Sequence, residues 1–254
     1  MSETNHPPLP EKIWHHAILG STNTQAKALL QEGERPPFWV MAEQQTAGRG
    51  RKGRHWVSEP GNLFITVVKR FEEEANTLTS MSLVTALAVK EAIESATSPE
   101  LKVTLKWPND ILLNDAKISG ILIESHKACL PQATTSPATD LIIGVGVNLI
   151  SHPNLVGKKA GNLKEAGFEV TPTILRDAIE ISLNKWLSIW NKGEGQAAII
   201  QAWQQQAMPL GTPLSIKAGA TIHKGKFGGL DAQGCLKLIL ENNKIETITA
   251  GEVL

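Results

Sequence analysis

The residues best equipped for chemistry lie in one short segment, Ala47-Gly48-Arg49-Gly50-Arg51-Lys52-Gly53-Arg54-His55-Trp56. Four cations (Arg49, Arg51, Lys52, Arg54) fall within six positions, on a backbone carrying three glycines. Like charges repel and glycine has much freedom to lose, so such a loop resists ordering by itself. An anion offsets both costs, and the planar fork of arginine suits phosphate and carboxylate. Gly48, Gly50 and Gly53 match the letters of G-x-G-x-x-G, but that fingerprint needs an apolar strand running straight into a helix. Here polar Glu43-Gln44-Gln45-Thr46 precedes the glycines and no helix-forming run follows. A Walker loop fails too, because Arg54-His55 follow Gly53. A solvated basic loop and a nucleic-acid contact remain open as readings of the same charges.

Two further segments offer polar groups at strand ends. In Lys106-Trp107-Pro108-Asn109-Asp110 the proline ends a ladder and restricts Trp107. Asn109 and Asp110 are then presented where α/β sites commonly form. Asp110 can orient an amine or accept its proton, and Lys117 lies seven residues on, across a predicted turn. The alternative makes Trp107 core packing and Asp110 a turn cap. Gly144-Val145-Gly146-Val147-Asn148 closes the most apolar strand of the chain. Its glycines suit a close approach of another surface, and Asn148 offers donor and acceptor to a base or ribose. A glycine bulge with a solvent-facing Asn148 is the competing reading.

The elements around these residues follow from periodicity. Ser21 or Thr22 caps a short helix with Ala26, Leu29 and Leu30 on one side, and Gly33 ends it. Strands are predicted at 38–42, 63–68, 101–106 and 141–149, with a hairpin pairing 111–113 with 118–124 around Asn114-Asp115. A polar loop joins residue 42 to Asn62, and a Pro/Thr/Ser/Ala-rich surface loop covers 126–139. Helices are predicted around Leu83–Ile93, Leu175–Trp190 and Ile199–Trp203. From Gly211 short β-type runs alternate with turns, the texture of a small barrel that needs to dock on a larger body.

Composition narrows the class. Across 254 residues, 25 basic and 25 acidic side chains cancel, which disfavours a general nucleic-acid binder. Hydrophobic content of 41% and charged content of 20% are those of a globular protein. Cys129 and Cys235 form no C-x-x-C pair and read as free thiols of a reducing compartment. The N-terminal segment has no apolar core and no stretch is long and apolar enough for a span, so a cytoplasmic protein without membrane contact is expected. The seven histidines include no H-E-x-x-H, no G-x-S-x-G elbow is present, and no metal site is expected.

Taken in order, five stretches resemble the catalytic region of the biotin–protein ligases. They are Ser21-Thr22-Asn23, Glu43 to Arg54, Lys106 to Asp110, Lys117-Ile118-Ser119-Gly120-Ile121-Leu122-Ile123-Glu124, and Gly144 to Leu149. The likeness extends over residues 15–254. It implies an α+β fold, a mixed sheet flanked by helices like the class II aminoacyl-tRNA synthetase core, followed by an SH3-like barrel. The implied boundaries are a flexible 1–12, a catalytic domain at 13–208 and the barrel at 209–254. Ser21, Thr22, Gln45, Gly48, Arg49, Arg51, Lys117 and Gly120 fall at biotin-binding positions. Arg51, Arg54, Trp56, Asn109, Asp110, Lys117 and Asn148 fall at ATP or adenylate positions, and Arg49, Arg51, Asp110 and Lys117 at the reaction centre.

The implied reaction activates biotin with ATP as biotinyl-5′-AMP and passes it to a lysine of a biotin carboxyl carrier protein. Mg²⁺ is implied to come with ATP, held by the phosphates. Two departures are visible. Many bacterial relatives carry a helix-turn-helix domain first, whereas 20 residues precede Ser21 here, so no DNA partner is expected. Lys158–Leu163 lacks the aromatic that some relatives stack near adenine. A monomer and a homodimer are both compatible with the sequence. The rival readings are a lipoate-attaching ligase and a non-enzymatic anion- or nucleic-acid-binding module.

Overall fold

The computed structural model describes residues 12–128, 138–154 and 159–254. Its first half runs β1 (Ile13–Leu19), α1 (Thr22–Gln31), β2 (Phe38–Gln45), β3 (Leu63–Phe71) and α2 (Met81–Ala96). Four strands follow, β4 (Val103–Lys106), β5 (Asp110–Leu113), β6 (Ala116–Lys127) and β7 (Thr139–Val147). Then come α3 (Pro172–Trp190), α4 (Gln196–Gln205), β8 (Pro213–Ala218), β9 (Thr221–Leu230), β10 (Leu236–Ile239), β11 (Ile245–Ile248) and β12 (Glu252–Val253). The seven-stranded sheet has the order β1-β2-β3-β7-β6-β5-β4. Only β1 and β2 run parallel, so the sheet is mixed, as expected, and helices cover it.

Period-two alternation decides which helix meets which face. Phe38 and Val40 of β2, Val68 of β3 and Ile142 of β7 pack on Ala26, Leu29 and Leu30 of α1. Their neighbours Trp39, Met41, Ile65, Val67, Ile143 and Val145 join the larger core with α2, α3 and α4. Gly144 and Gly146 share the α1 face with Ile142. That face is therefore left low beyond α1, and the functional cleft opens there.

Differences from the sequence reading have local causes. β1 went unforeseen because it is an edge strand with one partner, and Ile13 and Ile18 stay exposed, which blurs the alternation. β2 runs three residues past residue 42, to Gln45, its polar end carrying an exposed Glu43 and a cleft-lining Gln45. β6 continues to Lys127, so the surface loop is shorter than predicted, and residues 129–137, with Cys129, lie outside the described set. The glycine-bulge reading fails, since β7 stays in unbroken register with β3 through Gly144 and Gly146.

Other predictions held. Asn114 and Asp115 both adopt positive φ, 49° and 63°, the requirement of a tight hairpin turn. Gly33 at φ 96° ends α1, its successor Glu34 donating back to Leu29 O. The second sheet, order β11-β10-β9-β8-β12, is antiparallel, and its apolar face (Ile216, Phe227, Leu236, Leu238) is continuous with the main core. Trp107 Nε1 donates to Gly234 O at 3.2 Å and Leu230 N to Gln204 Oε1 at 2.7 Å, which fastens the second sheet to the β4–β5 connection and to α4.

Candidate active site

The cationic segment is a small hairpin rising from the end of β2. Arg49 and His55 face each other in a bridge, Gly50 N donates to Arg54 O at 2.7 Å, and Trp56 N donates to Gly48 O at 2.9 Å. Arg51–Gly53 form a single 3₁₀ turn at the tip, with Lys52 and Gly53 at positive φ. No helix follows Gly53, in line with the rejected dinucleotide fingerprint. Gly48 is required by space: a Cβ there would sit 2.4 Å from Trp56 O and 2.5 Å from Ser58 Oγ.

The anticipated self-repulsion is relieved because Arg49, Arg51 and Arg54 find internal acceptors. Arg49 pairs with Glu124 at 3.1 Å. Arg51 Nη1 donates to Asn109 Oδ1 at 3.2 Å and to Gly251 O at 3.4 Å. Arg54 pairs with Glu252 of β12. Lys117 Nζ lies 2.5 Å from Asp110 Oδ1, so the hairpin turn does bring that pair together. Burial pulls Arg51 below the ordinary guanidinium range, opposed by the nearby Asp110 carboxylate.

Beneath the hairpin lies a cleft of about 570 Å³. Its floor is glycine. Gly120 of β6 and Gly146 of β7 are register partners, and a Cβ on either would meet the Trp56 ring, at 2.9 and 2.6 Å. Trp56 thus lies across two strands, with Lys117 Nζ 5.3 Å from its ring centre. Its Nε1 is buried without a hydrogen-bond partner among the described residues. At one end Thr22 closes the cleft. Gln45 Oε1 accepts from Thr22 N at 2.8 Å and Thr22 Oγ1 at 3.2 Å, while its Nε2 donates to Ser58 Oγ at 2.9 Å. At the other end Asn148, 3% exposed, donates to Gly161 O at 3.0 Å, so the solvent-facing reading is overturned. Lys159 and Ala160, from the stretch noted for lacking an aromatic, line the wall there; Lys158 lies outside the described residues.

Most of the sequence-derived residues converge on this one cleft: Thr22, Gln45, Arg49, Arg51, Arg54, Trp56, Asn109, Asp110, Lys117, Gly120 and Asn148 all line it. Ser21 and Gly48 do not. Ser21 sits at the N-cap of α1, 5% exposed, without a side-chain capping bond, and Gly48 acts by letting the hairpin close. Asp110 is not the turn cap of the alternative reading, because it opens β5 and faces Lys117. Trp107, by contrast, is core packing, 4% exposed. Sequence reasoning passed over Asn23, Lys106, Asp115 and Glu252 as cleft-lining residues. Asn23 stood within a quoted stretch, but nothing local signals that Glu252 meets a hairpin almost two hundred positions earlier. Among the described residues no group of three or more His, Cys, Asp or Glu is arranged to hold a metal ion. Nor is any helix among them long and apolar enough to cross a membrane. Cys235 is a free thiol, pushed up by burial.

The mixed sheet, the glycine floor and the cationic hairpin over it make one cleft with a positively charged rim. Residues 16–148 match the model of the biotin/lipoate A/B protein ligase family, and the chain belongs to that family. The chain is 35% identical over 229 residues to the biotin–[acetyl-CoA-carboxylase] ligase of Paracoccus denitrificans, covering 87% of this chain and 92% of the relative. It is 29% identical to the bifunctional ligase/repressor BirA of Bacillus subtilis, over 96% of this chain and 74% of that one. The biotin protein ligase of Aquifex aeolicus, solved with biotin and ATP, superimposes with a TM-score of 0.78 at 26% identity, covering 96% and 98% of the two chains.

Proposed function

We propose that this chain is an ATP-dependent biotin–protein ligase. The observation that carries the reading is the convergence of Arg49, Arg51, Arg54 and Lys117 on one cleft whose inner floor is glycine. The biotin carboxylate attacks the α-phosphorus of ATP, the bond to the β-phosphate bridge breaks, and pyrophosphate leaves. Bringing two anions together is the main barrier, and fixed guanidinium and ammonium groups oppose it most where charge accumulates. Arg49 and Lys117 serve the carboxylate, and Arg51 and Arg54 the phosphates. Thr22 and Gln45, aided by Ser21 behind them, hold the polar end of biotin. Asn109 and Asn148 contact the nucleotide, Trp56 covers the adenylate, and Mg²⁺ enters as part of the ATP substrate.

In the second half-reaction a lysine amine of a biotin carboxyl carrier protein attacks the anhydride carbonyl. The bond to AMP breaks, and the amine proton passes to Asp110, whose Oδ1 is already held by Lys117. The closed hairpin shields the anhydride from water. The catalytic domain is assigned to residues 13–208, on a class II synthetase-like core, with an SH3-like barrel at 209–254. The enzyme acts in the cytoplasm, without DNA, as a monomer or homodimer. Intact-mass analysis of a carrier domain after incubation with biotin, MgATP and this protein tests the reading. One biotinyl adduct, lost without ATP, is expected. An adduct with lipoic acid alone would assign the lipoate branch of the family, and no adduct with either acid would leave an anion-binding module.

A further inference from the structure

Arg49 is held from outside the cleft lining by Glu124 and Thr24. Glu124 does not line the cleft, yet both its carboxylate oxygens lie against Arg49 Nη2, at 3.1 and 3.3 Å. An exposed ion pair between two freely moving side chains orients little, but this one is aimed. Glu124 Oε2 accepts from Asn23 Nδ2 at 2.7 Å, and Asn23 is 3% exposed. The Asn23 amide has one possible orientation, because Leu122 O, at 3.3 Å, and the Glu124 carboxylate only accept. Its Oδ1 then accepts from Thr66 Oγ1 at 2.7 Å. Gly144 makes the room, since a Cβ there would lie 2.2 Å from Asn23 Oδ1. Thus α1, β3, β6 and β7 together fix one carboxylate outside the cleft, and that carboxylate grips one edge of Arg49.

We propose that Glu124, aimed by Asn23, is a positioning residue that delivers the Arg49 guanidinium to the substrate carboxylate. The proposal rests on the ligase reading above. Nη2 is committed to Glu124 and Thr24, which turns the other guanidinium donors over to the ligand. A long side chain already held in place loses less freedom when the anion binds, so the gain falls mainly on binding.

The test is a double-mutant cycle with Arg49→Ala and Glu124→Ala, read by biotin-dependent ATP–pyrophosphate exchange and by thermal melting. Glu124→Ala is expected to raise the KM for biotin by about tenfold, the loss of one charged hydrogen bond, with kcat changed less. Glu124→Gln still accepts from Asn23 and Arg49 through its amide oxygen, and stays within about threefold of the parent. In the Arg49→Ala background the Glu124 change adds no more than about twofold, because its effect passes through Arg49. Should Glu124→Ala melt early, Asn23→Asp sets a second carboxylate against Glu124 and must give the same raised KM, again absent without Arg49. Equal penalties in both backgrounds, or an indifferent Glu124→Ala in an active enzyme, overturn the positioning role alone. A parent protein without biotin-dependent exchange removes the ligase reading and this inference together.

Discussion

Arg51→Ala should cripple adenylate formation while the fold survives. Among the described residues the Arg51 side chain donates to Asn109 Oδ1 at 3.2 Å and Gly251 O at 3.4 Å, both long for a hydrogen bond. Asn109 does not depend on them: its Nδ2 donates to Ile121 O at 2.6 Å and its backbone O accepts from Ile121 N at 3.1 Å. Little structural stability is therefore lost. The guanidinium is half-buried, and its desolvation, visible in the lowered basicity, is an unfavourable term that a bound phosphate would reverse. Loss of a fully used charged hydrogen bond costs about 1.5–3 kcal/mol, or from about tenfold to over a hundredfold in rate. Biotin-dependent exchange of labelled pyrophosphate into ATP measures this step directly, and a thermal melt controls for folding. Arg51→Lys should recover only part of the rate, since it restores charge without the fork. Exchange within twofold of the parent, with an unchanged melt, would refute the assignment of Arg51 to the phosphates.

Three further outcomes follow from the geometry. Gly144→Ala places a Cβ 2.2 Å from Asn23 Oδ1; the overpacking should cost about 1–3 kcal/mol of stability and weaken biotin binding, and calorimetry showing neither would argue against the tight seat of Asn23. Trypsin cleavage after Arg49, Arg51 or Lys52 should be fastest in the free protein, slower with biotin and slowest with a non-hydrolysable biotinyl-adenylate analogue, because each ligand replaces internal acceptors with stronger anions. Equal rates in all three conditions would remove the shielding role of the hairpin. Burial raises Glu180 above its ordinary value, with Arg176 opposing. Its folded pKa exceeds the unfolded one, so the stability it confers is full below the unfolded value and lost as pH rises through the folded one. Urea midpoints of Glu180→Gln should lack that decline, and parallel pH profiles for the two proteins would show that Glu180 is not its source.

What could be read from residues alone was whatever short-range chemistry dictates. The cationic hairpin declared itself by charge density and glycine content, and the nearness of Asp110 to Lys117 by the Asn114-Asp115 turn between them, although a register shift between Ile111 and Leu112 sets their final alignment. The buried strands declared themselves by uninterrupted apolar runs rich in β-branched residues, such as Leu141–Ile143. The likeness to a family then supplied roles that spacing could not. β1 was illegible because an edge strand with one neighbour buries too little to show a period. Tertiary structure alone decided how the cations are satisfied: Arg54 meets Glu252, Arg51 meets Gly251, and Arg49 meets Glu124, each across a long stretch of chain. It also decided why three glycines stand where they do. Gly120 and Gly146 become partners only when β6 and β7 pair, and Gly144 meets Asn23 only when α1 docks. Local propensity knows a residue's near neighbours, whereas the shape of a cleft belongs to strands brought side by side by burial of a shared core.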